Sequence, residues 1–426
     1  MSGRRESQER ILTRRGMLRG SSCGALVSLA SLNPGLCRST FADEPGEKTE
    51  SLIESIQQEV IFPGRSTGVS WFHPRACLVP GAAEPEVLMT LQSISGSDVF
   101  GPVHWTHSTD QGKTWSAPQA LTGLGRKSLG ANSEVGVCDV VPEYHPQTKS
   151  VLAIGHNVYY ASNVLARPQG KRWPVYTVRR PDLTWSEAQP IEWDNPKADE
   201  IFSCGCSQRL TRPNGDLVIP LTFGSRGIPH RSVTTALCDF DGKTIRIRKT
   251  GTVLENKVRR GLLEPSLSTF QGRDYLTIRA EDGRGYVSTS EDGLKWHALK
   301  PWSWHETGEP LEMSTTQQHW LSHAEGLYLV YNRRTEENKD VIRWRAPLYI
   351  AKIDVPSLSL IRSTEKVVFP MLPGIGNDPK KVALMGNFHP VTVSPRESWV
   401  TVGENFPANQ YRGNTLLARI HWKPSS

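Results

Sequence analysis

The stretch Ser108-Thr109-Asp110-Gln111-Gly112-Lys113-Thr114-Trp115 constrains the fold more than any other. Its aspartate can accept hydrogen bonds from turn amides, its glycine supplies a positive φ, and its tryptophan folds back into apolar packing. Thr289-Ser290-Glu291-Asp292-Gly293-Leu294-Lys295-Trp296 keeps the Gly-to-Trp spacing and places Glu291 in the aspartate column. Arg180-Pro181-Asp182-Leu183-Thr184-Trp185 is a worn third copy. Such turns close antiparallel strands, so the chain repeats a strand–turn unit.

Residues 264–296 show the unit whole. Three β-like runs, Pro265–Phe270, Asp274–Ala280 and Gly285–Ser290, alternate or are rich in β-branched and aromatic residues, with Gly or Asp between them. The same pattern gives inner-strand candidates near Arg75, Cys138, Cys206, Glu264, Thr316 and Phe388, with successive gaps of 63, 68, 58, 52 and 72 residues. Most are followed by a second apolar strand: Val151–Ile154, Asp216–Leu221, Tyr275–Arg279, Leu327–Tyr331 and Trp399–Val402. Six loosely similar sheets predict an all-β chain folded as a six-bladed β-propeller over residues 63–424, with residues 43–62 a polar, partly helical lead-in. A β-sandwich pair would show shorter, more uniform spacing.

Composition agrees. Of 426 residues, 37% are hydrophobic and 22% charged, with 13 Trp, 36 Gly and 30 Pro, as in a globular, turn-rich chain. The formal charge of +7 is concentrated at the start: residues 1–42 hold seven Arg against two Glu, leaving +2 for the remainder. No basic, aromatic-interleaved patch stands in the rest, so nucleic acid is not an expected partner.

Residues 1–42 read as a cleaved export signal. Thr13-Arg14-Arg15-Gly16-Met17-Leu18-Arg19 has the twin-arginine pattern, Gly24–Leu32 is a short apolar run, and Thr40-Phe41-Ala42 offers a small-residue cleavage site. The run is too short for a permanent span, so no stable membrane insertion is expected. The protein is expected in the periplasm or outside the cell, as a monomer. Cleavage would leave five of the seven cysteines, Cys77, Cys138, Cys204, Cys206 and Cys238, an odd number that reads as buried thiols, not a disulfide framework. No metal motif, nucleotide loop or nucleophile elbow is present, and neither metal nor cofactor is expected.

The octamer at 108–115 resembles the Asp-box of the sialidase (neuraminidase) superfamily, whose BNR-repeat members are six-bladed propellers. The resemblance covers roughly residues 65–422. It implies a set of site residues. Arg75, in His73-Pro74-Arg75-Ala76-Cys77, resembles the first arginine of a carboxylate-binding triad completed by Arg279 and by Arg345 in Trp344-Arg345-Ala346. Asp98 occupies the place of the acid, and Glu264 that of the buried glutamate. The chain departs from the pattern twice. Phe388 stands in the column of the nucleophilic tyrosine, and Leu91-Gln92-Ser93 stands where a further arginine is expected.

Three arginine forks meeting at one spot suit a planar carboxylate, so the expected partner is an acidic glycan. Asp98 and Glu264 supply the two carboxyl groups of glycoside hydrolysis. The expected activity is that of an exo-glycosidase removing a terminal sialic or uronic acid. With Phe388 in the tyrosine column, Glu264 would act directly as base or nucleophile, or His389 would take the base role. His73, His156, His319 and His323 also fall near strand ends, where a near-neutral imidazole makes a competent base. The alternatives are a polysaccharide lyase or a histidine-based glycosidase on the same scaffold, or a propeller that binds acidic glycans without turnover.

Overall fold

A computed structural model describes residues 51–81 and 85–424; the expected export signal lies outside them. Their strands form six antiparallel sheets arranged as a six-bladed β-propeller. Blade 1 runs outward from Trp71–Val79 through Glu86–Gly96 and Val99–Ser108 to Gln119–Ala120. Blade 2 is built on Ser133–His145, Ser150–Ala161, Pro174–Arg179 and Gln189–Pro190, and blade 4 on Leu262–Phe270, Arg273–Ala280, Gly285–Ser290 and Lys300–Pro301. The inner strand of blade 1 packs beside those of blades 2 and 6, and that of blade 5 beside those of blades 4 and 6.

Two inner strands and one outer strand depart from expectation. In blade 3 the position near Cys206 is a break: Ile201–Ser203 and Leu210–Thr211 each pair with Leu217–Gly224, and residues 204–209 cross between them. In blade 5 the strand begins at His319, not near Thr316. The polar run before it spends its side chains on neighbouring elements, with Thr316 Oγ1 donating to the Gly386 carbonyl at 2.8 Å and Gln317 Nε2 to that of Phe388 at 2.7 Å. In blade 6, Phe388–Ser394 is followed by Glu397–Gly403, Thr415–Trp422 and finally Ile53–Phe62. The expected partly helical lead-in is thus a strand over Ile53–Phe62. Ile53, Ile56 and Val60 are spaced three and four apart, as on a helix, yet the segment lies antiparallel to the last strand from Ile53 opposite Trp422 to Phe62 opposite Thr415. A segment that precedes blade 1 thus completes blade 6 as its outermost strand, tying the first and last blades of the ring together.

The core lies between blades. One cluster joins blades 5 and 6 through Val330, Ile350, Phe388, Val402 and Trp422, and another joins blades 2 and 3 through Leu152, Tyr176, Leu217 and Ala236. Trp302, Trp320, Trp399 and Trp422 are among the largest wholly buried side chains. Each contributes on the order of 2–3 kcal/mol by leaving water.

The turns carry the hydrogen bonds their sequences foretell. Asp110 accepts from Ser108 Oγ at 2.8 Å and from the Thr114 amide and hydroxyl at 2.9 and 2.6 Å. In the second copy the aspartate is Asp292 and not Glu291: it accepts from Ser290 Oγ at 3.0 Å and from the Lys295 amide at 2.7 Å. Glu291 instead faces Arg273 at 3.3 Å. The turn is one residue shorter between Ser and Gly, which moves the carboxylate by one place. Trp115 and Trp296 each reach the preceding blade, the former edge-on to Trp399 at 6.2 Å, the latter donating to Thr235 Oγ1 at 2.9 Å.

Candidate active site

The inner strands of blades 1, 2 and 4 each bulge on the way down the channel, with register shifts at Phe72/Arg75, Cys138/Val141 and Leu263/Ser266. At each bulge one residue takes a left-handed backbone: His73 (φ 52°), Asp139 (φ 58°) and Glu264 (φ 48°). Cys206 (φ 57°) does the same in the break of blade 3. None of these is a glycine, so each is strained by roughly 1–3 kcal/mol. An extra residue in a strand re-aims the side chains beside it, and here it gathers ionisable groups from four blades at one mouth of the channel.

Glu264 and Arg279 form the centre of the first group. Arg279 Nη1 donates to Glu264 Oε1 at 2.5 Å, its Nε to Thr315 Oγ1 at 3.1 Å, and its Nη2 faces Glu281 at 3.4 Å. Arg279 is 4% exposed, whereas the Glu264 side chain keeps a third of its surface open. Burial works to lower the Arg279 guanidinium, and Glu264 with Glu281 reverses this and raises it. Arg345 is held differently. Burial, then Arg279 and Arg343, push its guanidinium down to about 9, against the weaker pull of Glu264 and Asp98. Its Nε is buried without a partner. Arg343 is lowered too, by burial and then by Arg279 and Arg260. Asp98 sits on the exposed turn between the second and third strands of blade 1, with φ 56°.

The second group surrounds Asp139. Arg75 Nη2 donates to Asp139 Oδ1 at 2.7 Å, His73 Nε2 stands 3.4 Å from the same oxygen, and His156 Nε2 lies 3.9 Å from Oδ2. Burial alone would raise the Asp139 carboxyl; His73, Arg75 and His156 outweigh it and hold the group well below the carboxylate range. Gln92, standing where a further arginine was expected, donates to the carbonyls of Gly101 and Val137 at 2.9 and 2.8 Å. The field of Glu264 reaches His73, so the two groups abut.

The structure therefore brings Glu264, Arg279 and Arg345 together, with Asp98 in electrostatic reach of Arg345. Arg75 stands in the neighbouring group: it is 1% exposed, its Nη2 donates to Asp139, and its Nε and Nη1 are buried without a partner. His389 is also elsewhere. It is one of the residues lining a cavity of about 450 Å³ with Cys77, Glu143 and Arg209, although the field of Arg75 also reaches its imidazole. Four of the histidines expected to be near-neutral are held lower. Burial lowers His73 to about 4 and His156 and His389 to about 3, and takes His319 well down, so all four are neutral, weak bases at pH 7. The ring of Phe388 packs in the core between blades 5 and 6, edge-on to His319 at 5.3 Å.

Sequence reasoning missed Asp139, Arg172, Glu281 and Arg343. Asp139 could have been found: it is the single charged residue in Val137-Cys138-Asp139-Val140-Val141, an otherwise apolar inner strand. Cys138, Asp139 and His156 each place one ligand atom within 4.8 Å of the others. Arg75 already occupies an Asp139 oxygen, and Arg172 Nη2 donates to His156 Nε2, so two guanidinium groups stand where a cation would have to enter. That donor set fits no divalent ion. All five described cysteines are free and buried, and burial raises each thiol.

No family model matches the chain, and no curated protein resembles it in sequence. Solved structures do resemble it in fold. A Dyadobacter fermentans protein of unknown function superposes with a TM-score of 0.62 at 12% identity, over 87% of this chain and 100% of the other. A Trypanosoma rangeli sialidase, solved with the inhibitor DANA, gives 0.59 at 13% identity over 86% of this chain, which spans 60% of that protein's length. A Hadza microbial sialidase gives 0.58 at 13% identity over 86% of this chain and 68% of its own. At such identities the likeness is one of fold: this chain is a six-bladed propeller of the kind on which those sialidases are built.

Proposed function

We propose that the protein is an exported, sialidase-like exo-glycosidase that hydrolyses a terminal acidic sugar, a sialic or uronic acid, from glycans. The observation that carries the reading is Arg345, a half-buried side chain whose guanidinium is lowered to about 9 beside Arg279 and Arg343, whose Nε is buried without a partner, and which is in no ion pair among the described residues. Cations crowded in this way favour an incoming anion, and a guanidinium fork matches a carboxylate's two oxygens. In this reading Arg279, Arg343 and Arg345 receive the sugar carboxylate, while Arg75 orders the floor through Asp139. Glu264 is the base or nucleophile, presented by its ion pair with Arg279, and Asp98 on the rim protonates the leaving oxygen. Export is supported by the twin-arginine pattern at Arg14-Arg15.

The test is product release by the purified full chain from a panel of sialylated and uronic-acid-containing glycans, read by mass spectrometry. The free acidic sugar, carrying the added water, is expected. A product lighter by one water would assign a lyase instead. Binding without product would make the propeller a glycan-binding protein.

A further inference from the structure

We infer that a basic cavity beside Asp139 holds a second acidic group of the glycan, a carboxylate or a sulfate ester on a sugar beyond the one removed. The inference rests on the hydrolase reading for its place in a reaction, but not for its geometry.

The cavity, of about 610 Å³, lies on the rim of blades 2 and 3. Its volume is that of an ordinary small-ligand site. Four cationic side chains, Lys171, Arg172, Arg226 and Arg231, line it against one carboxylate, Glu200. Arg231 Nη2 pairs with Glu200 Oε1 at 2.6 Å, which cancels one charge of each sign. The remaining three cations are not matched by a carboxylate of the lining. The side chains of Lys171 and Arg226 are in no ion pair among the described residues, although Asp199 accepts from the Arg226 amide at 2.9 Å.

Arg172 joins this cavity to the mouth of the channel. Its backbone is fixed between blades, with its amide donating to the Glu200 carbonyl at 3.0 Å and its carbonyl accepting from Phe202 at 3.0 Å. Its Nη2 donates to His156, whose Nε2 is 3.9 Å from Asp139, and its Nε is buried without a partner. The cavity is thereby linked through Arg172 and His156 to the Asp139 group, which abuts the Glu264 group. Uncompensated cations around a cavity attract anionic ligands, and charged hydrogen bonds are the strong ones. A glycan with one acidic group fills one pocket; an acidic oligosaccharide fills both.

The experiment compares the full chain with the double variant Lys171→Ala/Arg226→Ala by calorimetry at low salt. The probes are sialic acid, its linear trimer, and an unsulfated and a sulfated uronic-acid tetrasaccharide. At least one oligosaccharide should bind the wild type about tenfold or more tightly than the monomer, and the double variant should lose that advantage. Monomer binding should change less than about twofold, because neither residue belongs to the Glu264 group. A charge reversal, Arg226→Glu, should weaken the oligosaccharide further. Loss confined to the sulfated tetrasaccharide assigns a sulfate; equal loss for both tetrasaccharides assigns a carboxylate. Equal affinities of wild type and double variant for every probe overturn the inference. Activity separates the two readings: sugar release unaffected by the double substitution sinks this inference alone, while oligosaccharide binding through Lys171 and Arg226 without release sinks the hydrolase alone.

Discussion

Replacing Arg345 by Met should make the protein more stable and unable to hold an acidic sugar. Its guanidinium is pushed down to about 9, first by burial and then by Arg279 and Arg343, with Nε buried and unpartnered. The folded value lies below the unfolded one, so the unfolded chain holds the proton more tightly, and this group's penalty is relieved only as pH climbs above about 9. At pH 7.5 the penalty is complete. A fall of that size from the ordinary arginine range would be worth about 4–5 kcal/mol if all of it reached stability. The side chain keeps some contact with solvent, and replacement by an apolar chain of similar length should recover about 1–3 kcal/mol. For an ordered region of this size that is a rise of roughly 1–5 °C in melting temperature. The assay is a pair of thermal melts at pH 7.5, with and without millimolar acidic sugar. The wild type should rise with ligand as mass action requires; Arg345→Met should start higher and not respond. A variant that melts several degrees below the wild type, or keeps the ligand shift, would refute the reasoning: Arg345 would then be an ordinary structural residue.

Glu264→Gln should lower kcat by roughly 10²–10⁴-fold with unchanged circular dichroism, and Asp98→Asn by about 10²-fold; full turnover in both would remove the two-carboxyl mechanism. His389→Asn should leave kcat within about threefold, because burial keeps its imidazole neutral and a weak base; a hundredfold loss with intact folding would make it the base. Acid should unfold the protein early. His73, His156 and His389 are held at about 4, 3 and 3, below their unfolded values, so stability is lost as pH falls from about 6.5 towards 4. The ceiling is about 1.4 kcal/mol per pH unit for each histidine, and a urea midpoint that stays flat between pH 7 and 5 would contradict it. The Asp139 carboxyl, held low, opposes unfolding until far more acid conditions.

Much of the fold was legible because turn chemistry is local. Asp110 and Trp115 announce a hairpin within eight residues, and apolar strands such as Tyr275–Arg279 follow the expected columns. What was not legible depended on pairing across the whole chain. Ile53–Phe62 carries a helix-like spacing, and only the waiting edge at Thr415–Trp422 makes it a strand. Glu264 and Arg279 could be paired from sequence, since they face each other across one hairpin in a single blade. The pairing of Arg75 could not be read from sequence, because its partner Asp139 comes from the next blade. The basicity of the histidines was not legible for a third reason: burial sets it, and burial in a channel is a property of the closed ring.

The left-handed residues explain why the site is asymmetric about an approximately sixfold scaffold. Blades 1 to 4 each place one at the mouth, and its side chain is His, Asp, Cys or Glu, none of which gains from that backbone as glycine does. Blade 6 places none there among the described residues, since Phe388 turns into the core, and in blade 5 Ser314–Gln318 is not yet strand. Blade 5 instead brings Arg343 (φ 53°) and Arg345 from the connection before Leu348–Asp354, and polar side chains from the run before His319. Asp139 and Glu264 are thus held at strained strand bulges, which fix their direction, while Asp98 comes from an exposed turn and Arg343 and Arg345 from a connecting loop. Groups that must meet a reacting atom need the first kind of support, and groups that hold a charge at longer range can work from the second. That division is consistent with Glu264 acting on the sugar and with Arg345 holding it.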